Sequence, residues 1–136
     1  MKIDLPGISD QQQIIFDEAT KAAIKTLKQN LKAEHYPPQE TINEDDYPRT
    51  HLLREHEGWE PPHKDVVDAY FKHLQQHFPE YGSDAKLAPL LGLSSDRRIR
   101  EYKSGARKIP YGVWRKLLII TGRVPQDVLT ILGYMA

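Results

Sequence analysis

The chain has 136 residues, with 19 Lys and Arg set against 19 Asp and Glu for a formal net charge of zero, and 39% hydrophobic residues. It has no cysteine, which excludes disulfides, thiolate zinc sites and cysteine nucleophiles, and no apolar run approaches the roughly 18 residues that a membrane span needs. The N-terminus, MKIDLPGISDQQQ, lacks the basic-then-apolar build of a signal peptide, so the expectation is a soluble cytoplasmic protein of one small domain with an appendage.

The neutral total hides an asymmetry. Residues 1–63 carry seven Lys/Arg and twelve Asp/Glu, whereas residues 64–136 carry twelve and seven. That split suggests a basic binding module beside an acidic segment able to grip a protein partner.

In chain order, Ser9 with Gln12 three residues on forms a capping box for a helix over 10–33, a stretch free of Pro and Gly. Phe16, Ala19, Ala23, Leu27 and Leu31, joined by Ile15 and Ile24, make one apolar stripe along it. Such a helix either covers the core of the C-terminal domain or pairs with its copy in a homodimer. Residues 36–62 read as a Pro-rich acidic linker, with two helical turns over 50–57 and Trp59 as an anchor to a core.

A helix over 63–78 follows, burying Val66, Val67, Tyr70, Phe71 and Leu74. Ser83 caps a helix to about Leu91, which Pro89 forces to kink, start late or be short. Gly92 provides the turn, Ser94 or Ser95 caps a helix over 96–104, and Gly105 closes it. Pro110 suits the first position of a helix over 111–121, and Pro125 that of a last helix to Leu132. No stretch alternates with period two. The expected fold is all-α: a compact helical bundle with a helix-turn-helix over 63–136, preceded by a long N-terminal helix over 1–35 and the irregular linker.

Charge singles out one segment. From Arg97 to Lys116 there are eight Lys/Arg against a single acid, Glu101, a density that points to phosphate contacts. Ile99 and Tyr102, three apart, fix the inward face of the 96–104 helix, which leaves Arg97, Arg100, Glu101 and Ser104 on the opposite face. Arg97 and Arg100 each offer a fork suited to guanine, Glu101 an acceptor for cytosine N4, and Ser95 a hydroxyl near the helix start. Arg98, Lys103, Ser104, Arg107, Lys108 and Arg115 are expected on the phosphate backbone. The competing reading for each charged residue is a solvated helix face, and for Glu101 a pair with Arg97 or Arg98.

The run Leu87-Ala88-x-x-Leu91-Gly92-Leu93-Ser94, followed by Ile99, Tyr102, Gly105 and Pro110, resembles the lambda-repressor-like (XRE-type) helix-turn-helix family, particularly regulators from bacterial mobile elements. The likeness covers about 64–122; the turn before Ile99 is one residue longer than the common pattern, and Pro89 replaces an ordinary helix former. The resemblance implies a bacterial transcriptional regulator, without enzymatic activity or cofactor. It would bind double-stranded DNA as a dimer on a palindromic operator. The alternative is an antitoxin-like or plasmid-maintenance adaptor acting mainly through protein contacts. A metal enzyme is disfavoured: His73 and His77 share a helix face, with His63 further off, but no HExxH accompanies them, and Glu44-Asp45-Asp46 sits in a Pro-flanked segment.

Overall fold

A computed structural model describes residues 7–135. Five α-helices, α1 (Ile8–Asn30), α2 (Lys64–His77), α3 (Asp84–Leu90), α4 (Asp96–Ser104) and α5 (Tyr111–Ile120), are joined by loops and short 3-10 turns, with no strand among the described residues. The fold is therefore all-α. Its residues divide into two units, one formed by 36–127 and the other by α1 with 128–135.

The larger unit is built on α2. Val66, Val67, Tyr70, Phe71 and Leu74 of α2 are buried, as are Leu87 of α3, Ile99 and Tyr102 of α4, and Trp114, Leu117 and Leu118 of α5. Each helix thus buries the stripe that its 3.6-residue spacing marks. His63 opens α2 by accepting the Asp65 amide on its side chain, and Ser83 does the same for the Lys86 amide at the start of α3. Pro89 lies inside α3, and the helix is short: the Leu93 amide turns back to the Ala88 carbonyl at 2.9 Å and Gly92 adopts φ +75°. The chain then enters α4, which Gly105 closes in the left-handed region at φ +81°. Pro110 stands one residue before α5, at its cap rather than inside it.

Residues 36–62 are not a free linker. Three 3-10 turns form here, Glu44–Asp46, Thr50–Leu52 and Glu55–Glu57; the last two are the two helical turns expected over 50–57. Ile42, Tyr47, Leu52 and Trp59 pack against the core, and His51 is 4% exposed. Polar groups fasten the segment at many points. Tyr47 donates to Asp65 at 2.8 Å, Trp59 Nε1 to the His51 carbonyl at 3.2 Å, and Trp114 Nε1 to His51 Nδ1 at 3.2 Å. Tyr70 stacks on Trp114 at 5.4 Å, carries the Arg123 guanidinium on its ring at 3.8 Å, and donates its hydroxyl to Glu44. Trp59 is an anchor, and the segment around it is part of the domain.

The expected last helix from Pro125 does not form; residues 125–135 are irregular. Gly122, at φ +70°, turns the chain out of α5, and Asp127 is then captured by Arg54 at 2.8 Å. A helix of eight residues has too few internal hydrogen bonds to hold without a surface to bury its apolar face. In the smaller unit, α1 starts at Ile8 with Gly7 as its cap and no side-chain cap bond, so the expected Ser9–Gln12 box is absent. No residue of α1 is buried. Tyr134 stacks on Phe16 at 5.2 Å.

Candidate nucleic-acid interface

α4 is held by its two apolar residues: Ile99 is fully buried and Tyr102 is 5% exposed. With those turned inward, Arg97 and Arg100 stand outward, their side chains 77% and 59% exposed. Arg97, Arg100, Glu101, Ser104, Ala106 and Arg107 line one open surface depression of about 540 Å3. Of the expected base-facing residues, Arg97, Arg100 and Glu101 share this surface, while Ser95 is exposed at the head of the helix, its hydroxyl making no cap bond.

Glu101 is differently employed from the expected role of a free acceptor. Its carboxylate takes Arg97 Nε at 2.8 Å, Arg98 Nη1 at 3.1 Å and Arg107 Nε at 2.5 Å. Partial burial pushes its carboxyl upward, but the hydrogen bond from Arg97 and the charges of Arg107 and Arg98 outweigh this and hold it below the usual carboxylate range. Glu101 organises the arginines, gathering three guanidinium groups from α4 and the loop after it. Arg100 is paired at 2.7 Å with Asp96, one helical turn earlier.

The expected phosphate residues divide. Arg98, Arg107 and Lys108 lie on or beside this surface, Arg98 with a side chain 40% exposed and Arg107 54%. Ser104 donates its hydroxyl to the Glu101 carbonyl and accepts the Ala106 amide, so it shapes the helix end. Lys103 is turned to Asp84 of α3 at 3.1 Å and is only 23% exposed, a brace between the two helices. Arg115 is the clear correction. It is 7% exposed and donates to the Leu52 carbonyl at 3.1 Å, so it is engaged inside the domain rather than presented at the surface.

The histidine pair is tied into the fold through His73. The His73 and His77 rings meet edge-on at 4.9 Å, and both nitrogens of His73 are engaged, one with the Pro37 carbonyl at 2.7 Å and the other with Arg123 at 3.0 Å. Glu44, the first of the three clustered acids, is bonded by Tyr70 and Gln39. No helix among the described residues is long and apolar enough to cross a membrane. Comparison with protein-family models, curated proteins and solved structures finds no match to this chain.

Proposed function

We propose that the chain is a sequence-specific DNA-binding regulator that lays α4 in the major groove. The observation that carries this reading is the division of α4 by burial. Ile99 and Tyr102 lock it into the core, while Arg97, Arg100 and Arg107 stand together at the surface.

Their present partners do not stand in the way. Exposed ion pairs are worth about 0–1 kcal/mol, and that of Arg100 with Asp96 is of this kind; Arg97, bonded to Glu101 through Nε, has a side chain that is 77% exposed. A guanine edge or a phosphate can take either guanidinium at little cost. Arg97 and Arg100 then read bases, and Arg98, Arg107 and Lys108 hold the backbone on either side. The short α3, the turn around Gly92 and the Lys103–Asp84 brace set the attitude at which α4 is presented. Helix, turn, helix and the outward arginines agree with the lambda-repressor-like resemblance over 64–122. An adaptor gripping a protein through 36–62 draws less support, because that segment's apolar side chains pack on the domain's own core.

The test is selection of bound duplexes from a random library by the full chain, followed by titration of the selected site. Replacing Arg97 and Arg100 together by Ala is expected to weaken the selected site by at least about 25-fold, given about 1–3 kcal/mol for each bidentate contact. Equal binding by the double variant, or no retention of any duplex at low salt, overturns the proposal.

A further inference from the structure

We propose that α1 is a self-association helix, and that it pairs antiparallel with α1 of a second copy. The pairing is independent of the DNA reading, since it concerns the other unit. α1 presents an apolar stripe that is largely exposed: Ile15 is 65% exposed, Ile24 48% and Leu31, just past the helix, 87%. Charge decides what covers that stripe. Asp10, Asp17 and Glu18 occupy the first half of the helix, while Lys21, Lys25, Lys28 and Lys32 follow in the second half and just beyond. Asp10, Asp17, Lys21 and Lys28 are separated by seven, four and seven residues; at about 100° per residue they fall within about 40° of one another, on one flank of the stripe.

A second copy running the same way would lay the acidic first half beside its acidic counterpart and the basic second half beside its basic one. Running the opposite way about an axis at Ala19, Asp10 faces Lys28 and Asp17 faces Lys21, and the same two pairs recur across the two-fold. Lys21 pairs with Glu18 at 3.5 Å between two largely exposed side chains, and such a pair exchanges readily.

Size brings in the tail. A helix of 23 residues is about 35 Å long, and a strip about 10 Å wide gives roughly 700 Å2 for the two copies, short of the ~1,000 Å2 that a specific interface needs. Residues 128–135 belong to the same unit as α1 and carry Leu129 and Leu132 at 85% and 101% exposure. Folding these side chains over the helix pair supplies the missing area, so the interface comprises both segments.

The experiment is analytical ultracentrifugation of the full chain, with Trp fluorescence as a folding control, because Trp59 and Trp114 both lie in the other unit. The expected result is a dimer that Leu27→Glu, or Leu129→Glu with Leu132→Glu, dissociates while fluorescence is unchanged. Lys21→Glu with Lys28→Glu should raise the dissociation constant at least tenfold, and adding Asp10→Lys and Asp17→Lys should restore it. Since the natural chain has no cysteine, single substitutions report direction. Thr20→Cys should crosslink two copies on oxidation and Leu31→Cys should not. Crosslinking at both positions, indicating parallel helices, overturns the proposal. So does a monomer at all concentrations, including one that instead binds anionic phosphatidylglycerol vesicles through α1.

Discussion

The indole of Trp114 donates to Nδ1 of His51 at 3.2 Å across 63 residues of sequence, and both side chains are buried. Because an indole nitrogen only donates, His51 must keep that nitrogen bare, and the ring is neutral in the folded protein. Burial holds its pKa at about 4 against an ordinary 6.5; Glu44 pulls the other way, and Arg49 and Arg123 add to the lowering.

The sign of the pH dependence follows. Between pH 6.5 and 4 the unfolded chain binds a proton at this position that the folded chain refuses. Stability from His51 is therefore complete above pH 6.5 and is lost as the pH falls toward 4, by roughly 3 kcal/mol if the whole shift is realised. Urea melts followed by Trp fluorescence should show wild type losing more stability than His51→Gln between pH 7 and 4.5. The variant keeps an acceptor for Trp114 but does not titrate. Parallel pH profiles would refute the account.

Arg115 gives a prediction that separates a structural cation from a DNA-binding one. Its guanidinium binds the Leu52 carbonyl and lies 4.0 Å from Asp127, so it ties 36–62 and the chain after α5 to the core. Arg115→Met should cost about 1–3 kcal/mol by leaving the Leu52 carbonyl unpaired, while the salt dependence of DNA binding stays that of wild type. A stable Arg115→Met variant with a shallower salt slope would return this residue to the DNA surface.

What could be read from the sequence, and what could not, divides along the range of the interactions. The attitude of α4 was legible because Ile99 and Tyr102 are neighbours on one helical face, and that periodicity is local. The role of 36–62 was not. Ile42, Tyr47, Leu52 and Trp59 have no helical or strand period, and their partners, such as Asp65 for Tyr47, lie on other elements. In the local sequence, proline and acid content dominate over these scattered apolar residues. Arg115 did carry a local signal: it lies about 60° round the helix from Leu118, at the margin of the buried face. Its place in a basic cluster concealed that. Periodicity misled at Val128, Leu129 and Leu132, whose spacing suits a helix, but which are mostly exposed in an irregular segment.

Gly105 tests how tightly α4 is seated. Its φ of +81° is a left-handed value, and a Cβ there would stand 3.0 Å from Lys64 Cδ. Gly105→Ala should cost about 1–2 kcal/mol from the backbone conformation alone, though the Lys64 side chain is long enough to swing aside. Thermal melts measure this. A loss well below ~1 kcal/mol would mean that the loop after α4 relaxes into another conformation.

Glu101 makes the most discriminating prediction for the DNA surface. In the free protein it gathers Arg97, Arg98 and Arg107 on one carboxylate. Glu101→Gln removes the single acid among the eight basic residues of 97–116 without much change in shape. Affinity for random duplex should rise several-fold at low salt, since about one more positive charge is exposed to phosphate. Discrimination between the selected site and random duplex should fall, because Arg97 loses the partner that holds its fork and each misplaced bidentate contact forfeits about 1–3 kcal/mol of base preference. Anisotropy titrations of both duplexes across a salt series read the two effects separately. Weaker binding to both duplexes, in equal proportion, would show that Glu101 acts by maintaining the helix, and the organising role assigned to it would be withdrawn.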